Sequence, residues 1–223
     1  EIESRAIAEF SAKIPQIYFW LNYHSFGGVF IRPLQTKDDC EMSIVDKSIY
    51  LTLDKKIEEI TGYPSVSGHS EFTYIPGKPL QGCLTSYSYQ SLGAISYVCE
   101  LWDLPAKIGR KERPFIKRYD CWSKTEWRKI YEYDRDENQG IMFGHSWKKY
   151  NHKQLGEVEI SEFPTIFGIN NPPQKWIHEV IQNQVPLLSL FVDVAPLPKV
   201  TVRLAKNGTK EVKYAELTIS NVG

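Results

Sequence analysis

The apolar pattern of the chain begins with a helix followed by a strand. Residues 3–14 carry apolar side chains at helical spacing, which predicts an amphipathic helix. The apolar and aromatic run that follows predicts a buried strand over residues 17–23. This strand leads to His24, and Gly27-Gly28 then supplies a turn.

A second helix and a second buried strand follow. Apolar side chains on one face predict a helix over residues 46–60, which Gly62 ends, and short strands are expected over residues 65–74. Residues 94–102 are almost wholly β-branched, aromatic or otherwise apolar, apart from Ser96 and Glu100. Such a run suits a strand covered on both faces, so we expect an α/β fold with a mixed, largely parallel sheet flanked by helices.

Two further helices and a linker are predicted in the second half of the chain. Ser123 and Glu126 have the spacing of a capping box and predict a surface helix. Asn171 is expected to cap a further helix that runs to Val194 with a kink at Pro186. Residues 195–198 are expected to form a linker.

Alternating apolar positions follow this linker. The alternation and Asn207-Gly208 predict a β-hairpin, which we interpret as the start of a small β domain over residues 199–223. An isolated two-stranded hairpin is only marginally stable in water, so further strands are expected to complete this domain.

Composition narrows the classes of partner. The formal net charge of the 223 residues is zero, so neither nucleic acid nor an anionic membrane is an expected partner. The longest apolar run, residues 185–192, is shorter than the roughly 20 residues of a membrane-spanning helix. The basic cluster over residues 107–118 is interpreted as a solvated face, with a site for an acidic partner as the alternative. The four cysteines form no C-x-x-C pair, and a reduced, buried thiol is expected at Cys99.

His24 and Glu100 are the candidates for chemistry. Ligands gather at the carboxyl ends of the strands in open α/β sheets, and parallel neighbours would bring this imidazole and this carboxylate to one edge. The pair suits a metal ligand with a general base. A single histidine after a strand is more often structural, whereas an unpaired buried carboxylate is costly and therefore unusual. The five histidines show neither H-x-x-E nor H-E-x-x-H spacing, so the sequence contains no complete zinc site.

Three stretches resemble one known family. "NYHSFGGVFIRP" and "GCLTSYSYQSLGAISYVCELWDLP" are similar to the second half of the catalytic domain of zinc metallocarboxypeptidases of the carboxypeptidase A type. "NHKQLGEVEIS", followed by "NNPPQKW", is similar to a pattern of a bacterial-type branch of that family. The resemblance covers residues 1–198.

The resemblance implies a function and roles for four residues. His24 corresponds to the third zinc ligand and Glu100 to the general base of an enzyme that hydrolyses the C-terminal peptide bond of peptides or proteins. Tyr74 corresponds to the mobile tyrosine over the substrate's terminal carboxylate. Thr85 corresponds to the floor of the side-chain pocket, which predicts uncharged or apolar C-terminal residues. Zinc is the implied cofactor.

The resemblance also places part of the site elsewhere. The family's H-x-x-E zinc pair and its carboxylate-binding arginines lie upstream of the third histidine, so we expect residues 1–198 to form the C-terminal part of the catalytic domain. Ser86 stands where many relatives carry an acidic residue. The alternatives are a carboxypeptidase-like binding module without catalysis, and a complete α/β domain in which His24 has only a structural role.

Overall fold

A four-stranded mixed sheet forms the centre of the fold. The computed structural model describes residues 1–14, 16–75, 78–142, 147–160, 165–196, 198–204 and 215–221. The sheet has the order β1-β4-β2-β3, and its strands are β1 (Phe19–Ser25), β2 (Val29–Arg32), β3 (Ser65–Ser67) and β4 (Ile95–Leu101). The pairs β1/β4 and β2/β3 are parallel, whereas β2 runs antiparallel to β4. The expected mixed, largely parallel sheet is therefore confirmed.

Eight helices accompany the sheets within the described residues. They are α1 (Ile2–Ser11), α2 (Ile44–Thr61), α3 (Leu84–Leu92), α4 (Leu104–Lys107), α5 (Lys124–Glu137), α6 (Thr165–Asn170), α7 (Gln174–Gln182) and α8 (Val185–Asp193). Short 3₁₀ turns occupy Asp39–Glu41 and Phe115–Tyr119. No helix of the described chain has the length and apolar character that crossing a membrane requires.

The two predicted helices and the strands that became β1 and β4 are confirmed with small shifts of their ends. The expected burial of β1 was wrong, because β1 is an outer strand of the described sheet and its residues are half-buried or exposed. Gly62 adopts a left-handed conformation and ends α2, because a glycine pays no Cβ penalty there. Only one short strand, β3, forms in the region where several were expected. On α1, Phe10 is 67% exposed, so the apolar positions of this helix do not cover the core of the described chain.

Apolar side chains cover both faces of the sheet. Phe30, Tyr97 and Cys99 pack with buried residues of α2 and α8 on one face. Val29 and Val98 pack on the other face in a second cluster that includes Phe72 and Phe115. Alternate residues of β2 and β4 thus enter opposite layers, as the period of two in a strand dictates. The prediction that residues 94–102 form a strand buried on both sides is confirmed.

The basic region before α5 is not a simple solvated face, and the prediction was wrong for two of its arginines. Arg110 and Arg118 are buried. Arg110 donates hydrogen bonds to the carbonyl oxygens of Lys117 and Asp120, both at 3.0 Å. A buried guanidinium needs such acceptors, so these arginines hold the 110–120 segment together. The capping box at Ser123 is confirmed.

Two expectations about the C-terminal helices were wrong. Helix α7 begins at Gln174, with Pro173 rather than Asn171 in the cap position. The expected single kinked helix is two helices, because α7 ends at Gln182 and α8 begins at Val185 with Pro186 in its first turn. Proline is favoured in a first helical turn, where its missing N–H has no intrahelical partner to lose.

Two antiparallel hairpin sheets complete the described structure. One joins β5 (Lys148–His152) to β6 (Gly156–Ile160), and the other joins β7 (Pro198–Leu204) to β8 (Ala215–Asn221). The alternating pattern after the linker therefore forms two paired strands as predicted, whereas β5 and β6 were not expected. The predicted Asn207-Gly208 turn lies outside the described residues. Cys40, Cys83, Cys99 and Cys121 are free thiols, and Cys99 is buried as expected.

Candidate functional site

The carboxyl ends of β1 and β4 bring His24 and Glu100 side by side. The two strands are parallel and in a register that pairs these two residues directly. The distance from His24 Nδ1 to Glu100 Oε1 is 3.6 Å. The prediction that both side chains lie at one edge of the sheet is confirmed, because parallel strands of matched register end together.

The loop between β1 and β2 passes over the end of β4. Because β4 lies between β1 and β2 in the sheet, residues 26–28 must cross it. Gly27 donates its N–H to the carbonyl oxygen of Trp102 over 2.7 Å. A Cβ atom at Gly27 would lie 2.9 Å from Glu100 Cβ, and one at Gly28 would lie 2.7 Å from Asp103 Cβ. Only glycine lets the loop approach this closely.

Glu100 is buried beneath this loop, and burial changes the pKa of its carboxyl group. The residue is 9% exposed, and no hydrogen bond reaches its carboxylate from the described part of the chain. Burial disfavours the charged form and raises the pKa of Glu100 from 4.5 to about 7. A carboxyl group with this pKa exchanges a proton readily near neutral pH, as a general base or acid must.

His24 is more open to solvent, and its second nitrogen has a partner. Its side chain is 49% exposed. The distance from Nε2 to Asn22 Nδ2 is 2.8 Å. An amide nitrogen can only donate, so Asn22 Nδ2–H donates to His24 Nε2. In the neutral ring Nδ1 then carries the proton, on the side of Glu100. Nδ1 must release this proton before it can bind a metal ion.

A cavity of about 390 Å³ opens beside the pair, and we call it the Glu100 cavity. Besides His24 and Glu100, it is lined by Ser25, Phe26, Phe72, Tyr74, Ile116, Tyr119 and Asp120. Most of these side chains are aromatic or aliphatic, and the described residues of the lining include no lysine or arginine. The cavity therefore favours an apolar group next to a proton-transferring carboxyl.

One wall of the Glu100 cavity is held in place by a buried ion pair. The Tyr119 ring meets Phe26 edge to face, with ring centroids 4.6 Å apart. Its hydroxyl donates to Asp103 Oδ1 over 3.2 Å, and Arg118 Nη1 lies 2.8 Å from Asp103 Oδ2. Burial raises the pKa of Asp103, and the Arg118 guanidinium opposes this rise. The Asp103–Arg118 ion pair therefore fixes the Tyr119 ring, which forms this wall of the Glu100 cavity.

The structure places the other two predicted site residues differently. Tyr74 lies at the Glu100 cavity and is 70% exposed, with its ring 6.3 Å from that of Phe72. Thr85 lies in the first turn of α3, is fully buried and does not line this cavity. Its carbonyl oxygen accepts a hydrogen bond from the Ser96 hydroxyl at the opposite end of β4. The structure therefore brings together His24, Glu100 and Tyr74, but not Thr85.

The residues that form the walls of the Glu100 cavity were not predicted from the sequence. Phe26 lies within the motif around His24, and Asp103 follows the buried strand of Glu100 closely enough to be suspected. Nothing in the sequence marks Tyr119, which reaches the site through a 3₁₀ turn. No group of three or more histidine, cysteine, aspartate or glutamate side chains that could hold a metal ion occurs among the described residues.

No protein-family model matches the chain, and a search of curated proteins found no match.

Proposed function

We propose that this chain is the C-terminal part of a zinc-dependent carboxypeptidase. The observation that carries the proposal is the pair of His24 and Glu100 at the ends of parallel strands, facing a cavity with aromatic walls. The proposal also rests on the sequence resemblance described above, in which these two residues match a zinc ligand and a general base.

The residues present fit part of a zinc site. His24 offers an imidazole nitrogen beside a carboxylate, and histidine is a common zinc ligand. Zinc sites hold three or four protein ligands, so the proposal requires further ligands from outside the described residues. Zinc, when bound, polarises a carbonyl group and lowers the pKa of a bound water molecule.

Glu100 performs the proton transfers in this proposal. Its carboxylate takes a proton from the attacking water and delivers it to the nitrogen of the leaving amine. A pKa of about 7 makes both protonation states accessible at neutral pH. Gly27 closes over Glu100 and limits its contact with water.

The cavity indicates the substrate class. Apolar walls from Phe72 and Ile116 favour an uncharged, apolar C-terminal side chain. Tyr74 lies at the cavity and is exposed, which is compatible with a role in binding the terminal carboxylate. The predicted contribution of Thr85 to the side-chain pocket stays a prediction.

The test uses the full-length protein and blocked peptides that end in Phe, Lys or Glu. We expect release of the terminal Phe, loss of this activity with a chelator, and a fall of at least about 100-fold in kcat for Glu100→Gln, the scale of general-base catalysis. Glu159→Gln, which changes an exposed residue of β6, is the matched control and should keep full activity. Unchanged activity of Glu100→Gln would refute the assignment.

A binding module without catalysis is the second candidate. Ser86, which stands where many members of the family carry an acidic residue, motivates it. Such a module would bind the same C-terminal peptides in the Glu100 cavity and release them uncut. Binding of the Phe-terminated peptide by the full-length protein loaded with zinc, with no cleavage, would favour this candidate.

A further inference from the structure

A second cavity adjoins the Glu100 cavity on the other side of its aromatic wall. It has a volume of about 390 Å³, and we call it the tryptophan pocket. Phe26 and Tyr119 line both cavities. Trp122, Trp127 and Ile169 supply most of the remaining apolar lining. The two cavities therefore share one pair of rings as a common wall.

Contacts within the fold hold the walls of the tryptophan pocket in place. Trp122 and Trp127 have ring centroids 5.3 Å apart, and the Arg110 guanidinium lies 5.6 Å from the Trp122 ring. The capping box at Ser123 starts α5 between the two tryptophans and so fixes the position of Trp127. Since Tyr119 is held by Asp103, the pocket has fixed walls on both sides.

The chemistry of the lining selects an uncharged occupant. Within the described part of the chain, the seven residues that line the pocket carry no charge. Its volume lies within the roughly 300–1,000 Å³ of ligand pockets, and aromatic surfaces favour aromatic or large aliphatic groups. This contrasts with the Glu100 cavity, which contains His24, Glu100 and Asp120.

We propose that the tryptophan pocket binds an aromatic or large aliphatic side chain of the peptide substrate, one or two residues before the scissile bond. This inference rests on the proposed function. Of the two cavities, Tyr74, the residue predicted to meet the terminal carboxylate, lines the Glu100 cavity and not the tryptophan pocket. We therefore expect the rest of the peptide to extend past Phe26 and Tyr119. An extended peptide advances about 3.3–3.6 Å per residue. Because the two cavities share this pair of rings as lining, the residues next to the scissile bond are the ones that lie near the tryptophan pocket.

The experiment measures the preference of the full-length protein at these two positions. The substrates are acetyl-X-Ala-Phe and acetyl-Ala-X-Phe, in which X is Phe or Gly. We expect kcat/KM to be at least about tenfold higher for X = Phe at one of the positions, the scale of a filled apolar pocket. Trp127→Ala should reduce this ratio to below about threefold, and Trp127→Phe should retain most of it.

A matched control and a binding measurement separate the possible failures. Trp147→Ala removes an exposed tryptophan that does not line the pocket and should leave the ratio unchanged. Cleavage with no preference for X = Phe, or a preference that survives Trp127→Ala, overturns the pocket assignment. If no peptide is cleaved, calorimetric Kd values for the same peptides decide. Tighter binding of X = Phe that Trp127→Ala abolishes supports the pocket while it rejects the hydrolase. Equal binding of X = Phe and X = Gly rejects the pocket as well.

Discussion

Replacing Glu100 by glutamine should stabilise the folded protein at neutral and alkaline pH. Glutamine has nearly the same shape as glutamic acid but never ionises. Burial raises the pKa of Glu100 from 4.5 to about 7. At about 1.4 kcal/mol per pKa unit, this rise of roughly 2.5 units corresponds to about 3 kcal/mol of unfolding free energy.

The sign of the effect follows from proton binding. Between pH 4.5 and 7 the folded state holds a proton on Glu100 that the unfolded state has released, so the unfolding free energy falls as the pH rises. The stabilising contribution is complete below pH 4.5 and is lost above pH 7. Glu100→Gln and the wild type should therefore differ little at pH 4, whereas the variant should be more stable by about 3 kcal/mol at pH 8.

Urea unfolding at a series of pH values measures this difference. A chelator keeps bound metal from contributing to the folded state. Glu159→Gln, at an exposed position, should follow the wild-type curve at every pH. A difference between Glu100→Gln and the wild type that changes by less than about 1 kcal/mol from pH 4 to pH 8 would refute the view that Glu100 is buried and mostly neutral below pH 7.

Two further changes test the supports of the site. Gly27→Ala introduces a Cβ atom 2.9 Å from Glu100 Cβ, so urea unfolding should show a loss of about 1–3 kcal/mol, and unchanged stability would contradict the close approach of the loop. Arg118→Met leaves the Asp103 carboxylate buried without its ion partner and should cost about 3–5 kcal/mol. The double variant Arg118→Met/Asp103→Leu should recover much of this loss in thermal or urea unfolding, and a double variant as unstable as the single one would speak against a buried ion pair.

The sequence contains enough information to predict the two strands that carry the candidate pair. The apolar run around Glu100 can be satisfied only by burial, and a strand covered on both faces implies helices on either side of a sheet. The apolar run before His24 also predicts a strand, although β1 is only partly buried. The adjacency of the two residues follows once these strands are parallel neighbours.

Other features of the fold depend on long-range contacts that no local sequence pattern predicts. β6 alternates polar and apolar residues over 157–160, but β5 contains only one apolar residue, Tyr150, so hydrophobic periodicity does not predict the partner strand of this hairpin. Arg118 looks like any surface arginine until its partner Asp103 is known to be buried beside it. Tyr119 is likewise placed by long-range packing against Phe26 rather than by its neighbours in sequence.

The strand order also determines at which stage of folding the His24–Glu100 pair can form. β1 and β2 are neighbours in sequence but not in the sheet, because β4 fills the gap between them. Residues 33–94 separate β2 from β4, so no local zippering can join the first two strands. Contacts over such separations are slow to form. We therefore expect the sheet and the His24–Glu100 pair to be completed in one step, when β4 inserts between β1 and β2 beneath the loop of residues 26–28.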